Sequence, residues 1–237
     1  RLAKGVPSTA AITPIQFCEK YCQYVDEGYT DVIHVPINKS GSSTYNNALM
    51  AQGMLREERP EHHMKIHLLD PHTYSMVFGW YLCEMARKLK NGAEISHVIQ
   101  EFEKQMNCME IILGPYSLKQ MKKSGRISAA AAVMGELMGV RPIITLIDGK
   151  TKVESKVRGD DKVIPAMIDL CKKRTEGVED FDYMIGHTSI PQAAELEKAC
   201  RKAFGKAPLT TFNLGGVVSA NTGPDTLALV YVGKPRD

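Results

Sequence analysis

The chain has 237 residues, 43% hydrophobic and 24% charged, with 30 Lys+Arg against 27 Asp+Glu for a net charge of +3. That balance excludes disorder as the main state, and it gives no basic surface for nucleic acid. No stretch offers the roughly 20 uninterrupted apolar residues of a membrane-spanning helix. At about 100–200 residues per domain, the length suits one large or two small domains.

In chain order, Thr13 before Pro14 reads as a helix N-cap with proline at the first helical position, leading into a helix that carries Phe17. DVIHVPI (Asp31 to Ile37) is a buried strand, followed by the turn Lys39-Ser40-Gly41-Ser42-Ser43. From Thr44 a helix runs through YNNALMAQGMLREE and ends before Pro60, with Tyr45, Ala48, Leu49 and Leu55 on one apolar face. Strand Lys65 to Asp70 and a helix from about Tyr74 to Lys90 repeat the pattern, and Asn91-Gly92 supplies a stop. Strand, helix, strand, helix predicts parallel strands with helical crossovers.

After a helix from Ser96 to Gln105 the texture changes. Met109 to Gly114 is a strand, Ser117 to Lys123 a short helix, and an Ala- and Met-rich helix runs from Ser128 to about Met138. RPIITLIDGKTKVESKVR is a hairpin around Asp148-Gly149, a pair suited to a type I′ turn. Helix Lys162 to Arg174, strand Tyr183 to Gly186, helix Ile190 to Phe204, and strands Leu209 to Leu214 and Leu227 to Gly233 complete the chain. The fold class is therefore α/β: a parallel α/β domain over residues 1–106 and a mixed-sheet α/β domain over 107–237. The six cysteines form no CxxC pair and sit among apolar neighbours, so free thiols and a cytoplasmic location are expected.

Ligands of parallel α/β sheets sit at the carboxyl ends of strands. Ser40 to Thr44 offer hydroxyls and backbone N–H groups at a helix start, which suits a carboxylate or phosphate. An equally local reading has Ser43 or Thr44 simply capping the helix. No lysine completes a GxxxxGK[ST] loop, so a nucleotide P-loop is rejected. Thr9 has no capping explanation. His62-His63 are adjacent in a charged loop and the other histidines are scattered, so no metal is expected.

Taken together, the motifs resemble the DegV family. TAAITPIQF is similar to its threonine-serine-x-proline-serine-proline segment, with Thr9 at the leading threonine. GSSTYNNA resembles its serine-glycine-threonine-tyrosine loop, with Ser42 and Thr44 kept and Ser43 in the place of glycine. LLDPHTYSMVFGW matches the aspartate-serine strand end at Asp70. LKQMKKSGRIS matches the glycine-glycine-arginine-isoleucine-serine turn through Arg126, with Ser124 for the first glycine. The proline-isoleucine hairpin closes on Lys156 and Arg158, and GHTS carries the family histidine as His187. The ordered set spans about Thr9 to Tyr231.

The resemblance implies a two-domain protein that binds one long-chain fatty acid between its domains, without a cofactor and without being an enzyme. It implies that Thr9, Ser42 and the N–H of Ser43 hold the carboxylate at the mouth of an apolar tunnel. It further implies a partner, a fatty-acid kinase subunit that receives the acid to make an acyl phosphate. Arg158 matches the arginine at the phosphotransfer end, and Arg126 and His187 stand either at the site or in structural roles. Two departures stand out. The family's histidine-threonine-glycine-proline-glycine turn is Asn221-Thr222-Gly223-Pro224-Asp225 here, and Asn221 cannot carry a proton or a positive charge. If that histidine serves the handover, this chain binds lipid without serving a kinase. The family's first strands do not precede Thr9, so the chain is expected to be a piece of a longer polypeptide. The alternative function is an enzyme acting on a small acid or phosphate ester, with Ser42 or Thr44 as nucleophile.

Overall fold

The computed structural model describes residues 7–131 and 139–236. The chain forms two compact units, one spanning Thr9–Tyr74 and one built on Ser75–Asp237.

In the first unit, helix α1 (Pro14–Asp26) opens with the predicted cap. The Thr13 hydroxyl accepts from the Gln16 N–H at 3.3 Å, and the Thr13 N–H donates back to Gln16 Oε1 at 3.0 Å. Strand β1 (Asp31–His34), helix α2 (Thr44–Glu58) and strand β2 (Lys65–Leu68) follow. β1 and β2 pair in parallel, Asp31 opposite Lys65 and His34 opposite Leu68, as the alternation predicts. Both strands are shorter than the apolar runs, because Val35 onward already belongs to the loop. Ala48 and Ala51 on α2 are fully buried, and they pack with Phe17, Cys18, Tyr21, Leu55 and Met64 in one core. Small side chains at 48 and 51 let α2 lie close to α1. His34 closes the core: its Nδ1 lies 2.6 Å from the Tyr21 hydroxyl and its ring 4.9 Å from that of Phe17.

The second unit holds helices α3 (Met76–Lys90) and α4 (Ile95–Cys108), which pack on each other. The sequence reading grouped them with the first half, by a boundary near Met106. Strands β3 (Met109–Pro115), β4 (Val140–Ile147), β5 (Lys150–Arg158), β6 (Tyr183–His187), β7 (Thr211–Asn213) and β8 (Thr226–Val232) form a six-stranded sheet in the order β5-β4-β3-β8-β6-β7. Only β6 and β7 pair in parallel, so the sheet is mixed as expected. Asp148 and Gly149 join β4 to β5 with φ of 50° and 72°, both left-handed, the geometry of the type I′ turn. Helices α5 (Lys119–Ser124), α6 (Ser128–Ala131), α7 (Val163–Arg174), α8 (Gln192–Phe204) and α9 (Gly216–Thr222) complete the described elements. The predicted continuation of α6 to Met138 lies outside the described residues.

Two expectations are corrected. The run Leu209 to Leu214 pairs only over Thr211–Asn213. The stretch through Asn221, read as a turn, is helical up to Thr222.

The central strands β3 and β8 are buried along nearly their whole length. β3 carries one buried carboxylate, Glu110, opposite Tyr231 of β8. Arg174 of α7 grips it with Nε at 2.5 Å and Nη2 at 2.9 Å, and the Tyr231 hydroxyl donates to it at 2.5 Å. Hydrogen bonding to Glu110 holds the Arg174 proton more tightly, and burial raises the Tyr231 phenol well above its usual range. A buried carboxylate stripped of its arginine is strongly destabilising. Arg174→Met is expected to cost about 3 kcal/mol, and Tyr231→Phe about 1–2 kcal/mol, in denaturant unfolding.

Burial lowers the His34 imidazole below the ordinary histidine value of 6.5. The folded ring therefore stays neutral at a pH where the unfolded ring already binds a proton. Stability contributed at neutral pH is lost as pH falls through about 6.5 toward the lower folded value. Wild type is expected to lose more stability between pH 7 and 5 than His34→Asn, measured by urea midpoints.

Candidate functional site

The carboxyl ends of β1 and β2 release two loops, residues 35–43 and 69–75, that side chains tie together. Asp70 Oδ1 accepts from the Lys39 N–H at 3.3 Å and the His72 N–H at 3.0 Å. Its Oδ2 makes no hydrogen bond and faces Lys39 Nζ at 3.7 Å and His72 Nδ1 at 3.8 Å. Asn38, 1% exposed, donates its N–H to the Thr73 carbonyl at 3.1 Å, and its Oδ1 accepts from the N–H and hydroxyl of Ser40 at 2.7 and 2.5 Å. The Gly41 N–H then bonds the Asn38 carbonyl at 3.1 Å. A Cβ at position 41 would stand 1.9 Å from the Tyr74 hydroxyl, so glycine is required there for close approach. Burial, with the Asp70 charge second, raises the Tyr74 phenol.

This frame sets the start of α2. Ser43 occupies the N-cap position, yet its side chain makes no cap hydrogen bond. The capping alternative therefore fails for Ser43, because its own dihedrals are already helical (φ −68°, ψ −5°) and its exposed hydroxyl is not turned to the N–H groups. Thr44 is helical as well; its hydroxyl meets Ser42 Oγ at 2.7 Å. Ser42 Oγ also accepts from the Thr44 N–H at 3.2 Å. With Thr44 donating its hydroxyl hydrogen to Ser42, the hydrogen of Ser42 is free to point at a ligand. The first turn of α2 adds N–H groups without intrahelical partners and the positive end of the helix dipole. Such a cluster binds an anion through donors alone, with no fixed positive charge.

Thr9 lies exposed on the segment that leads to α1. The Asn47 side chain on α2 donates to the Ile12 carbonyl at 2.7 Å, which fastens that segment to the same helix. Thr9, Ser42 and Ser43 thus belong to one unit.

The other singled-out residues belong to the second unit. Arg126 follows Gly125 (φ 68°) and is exposed, with its N–H and guanidinium both on Ser124 at 3.4 Å. Asn221 is half-buried on α9; its amide donates to the Val217 carbonyl at 2.8 Å, and its own carbonyl accepts from Ser124 Oγ at 3.2 Å. Ser124 therefore joins Arg126 and Asn221 in one network. His187 ends β6 and accepts the Ser189 N–H on Nδ1 at 3.0 Å, which puts the proton of the neutral ring on Nε2. Thr188 next to it bonds the Pro224 and Thr226 carbonyls, bringing the β6 end beside the turn after α9. Arg158 stands apart at the end of β5. The two acids that follow it are paired elsewhere: Asp160 with Arg141 at 2.7 Å and Asp161 with Lys162 at 3.2 Å. Arg158 is exposed without an ion pair among the described residues.

Sequence reasoning missed Asn38, Thr73 and Tyr74 as parts of the site. Thr73 is 2% exposed and its hydroxyl has no hydrogen-bond partner. The only signal was position, since all three follow the two predicted strand ends. Among the described residues, no group of three or more His, Cys, Asp or Glu side chains could hold a metal ion, and no helix is long and apolar enough to cross a membrane.

A family model described as "Uncharacterised protein, DegV family" matches residues 1–234. A DegV domain-containing protein of Clostridium perfringens is 26% identical over 240 residues, covering 100% of this chain and 81% of that protein. A second from the same organism is 28% identical over 231 residues, covering 96% and 78%. Among solved structures, the chain is similar to a stearic-acid-binding protein from Eubacterium ventriosum, with a TM-score of 0.86, 21% identity, and coverage of 98% and 80%. It is also similar to the fatty-acid-binding DegV family protein of Streptococcus agalactiae, with a TM-score of 0.82, 24% identity, and coverage of 98% and 80%. A match across nearly the whole length decides the family: the chain belongs to the DegV family.

Proposed function

We propose that this protein binds one long-chain fatty acid and holds its carboxylate at the start of α2. The observation that carries the reading is the start of α2, where Ser42 Oγ lies 2.7 Å from the Thr44 hydroxyl and accepts the Thr44 N–H, and the N-cap Ser43 makes no side-chain cap bond. Ser42, the N–H of Ser43 and the Thr9 hydroxyl are the donors. Structural relatives described as binding stearic acid or loaded with heptadecanoic acid support the ligand class. A carboxylate held by hydroxyl and N–H donors keeps its charge available, whereas a lysine would hold it as a tight ion pair.

The same geometry supports a binding role over catalysis at Ser42. Its oxygen is engaged by Thr44, and among the described residues no histidine or carboxylate is hydrogen-bonded to it. In a cell with a fatty-acid kinase, the bound carboxylate would be presented for acyl-phosphate formation, and the unpaired Arg158 is the group suited to phosphate charge. Arg126, Asn221 and His187, all of the second unit, are the further polar residues named in this reading.

Denaturing the purified protein and extracting it for mass spectrometry is expected to release a C14–C18 acid. An empty extract, together with no binding of added palmitate, would overturn the proposal. Charge-assisted hydrogen bonds contribute about 1.5–3 kcal/mol each, so Thr9→Ala and Ser42→Ala are each expected to weaken palmitate binding at least about tenfold. Thr44→Val should weaken it less, by removing only the polarising partner. Unchanged affinity in the Thr9→Ala, Ser42→Ala double variant, with the circular dichroism of wild type, would place the carboxylate elsewhere.

A further inference from the structure

The face of the first unit formed by α1 and α2 carries chemistry that fatty-acid binding does not use. A groove of about 620 Å³ runs along the two helices, lined by Cys18, Cys22 and Met54 and rimmed by Glu19, Asp26 and Glu58. Cys18 and Cys22 are four residues apart on α1, so their side chains share one face. Both cysteines are free, Cys18 buried and Cys22 half-buried. Met54 reaches the groove from the opposite helix. Arg59 also lines the groove, with Nε and Nη2 both bonded to Asp26 at 3.1 Å.

We propose that Cys18 and Cys22, with the thioether of Met54, bind one soft monovalent d10 cation of the copper(I) class. Thiolate and thioether sulfur are the ligands that select such an ion over hard divalent ones. On binding, each S–H bond is replaced by a sulfur–metal bond and two protons leave to solvent, with no change of oxidation state. Burial above all, then the neighbouring thiol, Glu58 and Glu19, pushes the Cys18 thiol up to about 11. Without metal the Cys18 thiol therefore stays protonated. The same carboxylates that disfavour a bare thiolate attract a cation, which reduces the charge of two thiolates from −2 to −1.

The test is an anaerobic titration of the reduced full chain with copper(I) against a colorimetric chelator. One tight equivalent is expected. Cys22→Ser, at a half-buried position, should weaken it at least about 100-fold while the protein keeps its helical circular dichroism. Met54→Leu should weaken it several-fold, and Cys83→Ser, at an exposed position on α3, should leave it unchanged. X-ray absorption of the loaded protein should show two or three sulfur neighbours. Uptake unaffected by Cys22→Ser, uptake lost in Cys83→Ser, or a single sulfur neighbour would overturn the proposal. Palmitate binding by the same variants is a separate measurement, so neither reading depends on the other.

Discussion

The candidate site rests on the Asp70 carboxylate. Two parallel strands of only four residues cannot by themselves organise the loops beyond their carboxyl ends. Asp70 does so by accepting from the backbone of both loops, at Lys39 and at His72, while Asn38 ties the first loop to Thr73. A carboxylate that is nearly buried is stable only if such donors replace its lost water. The satisfaction of Asp70 and the shape of the site are therefore one arrangement. The cluster around Ser42 inherits its order from it, since Ser40 and Gly41 are held on Asn38.

Glu110 plays the corresponding part in the second unit, with a different purpose. It joins β3 to β8 through Tyr231 and to α7 through Arg174, so one charged group fixes a helix against the middle of a sheet. Nothing opens it to a ligand, and its partners use both oxygens. Asp70 keeps one oxygen without a hydrogen bond, which is the difference between a structural carboxylate and one at the edge of a site.

Much of this was legible from local chemistry. Thr13-Pro14 announced the start of α1 and Asp148-Gly149 the hairpin, because both signals act within four residues and need no tertiary help. The start of α2 and its hydroxyls were legible as an anion-binding possibility, but whether Ser43 capped the helix was not, since that depends on a backbone dihedral set by Asn38 and Asp70. Helix α9 was illegible for a similar reason. It has two glycines at its start and two adjacent valines, poor helix formers, and is held by Gln120 on the Ala220 carbonyl and Ser124 on that of Asn221. Residues 100 positions upstream supply what its own sequence lacks. The roles proposed for Thr9 and Arg158 came from resemblance alone, because an isolated exposed threonine or arginine carries no local signature.

Gly41 and Tyr74 carry a consequence for how this loop can vary. The phenol oxygen of Tyr74 occupies the volume that the Cβ of any other residue at position 41 would need. Neither position can be treated as an independent character. A larger residue at 41 requires the side chain at 74 to shrink or turn away, so their substitution effects are expected to be non-additive. What either position tolerates is therefore set by the residue at the other.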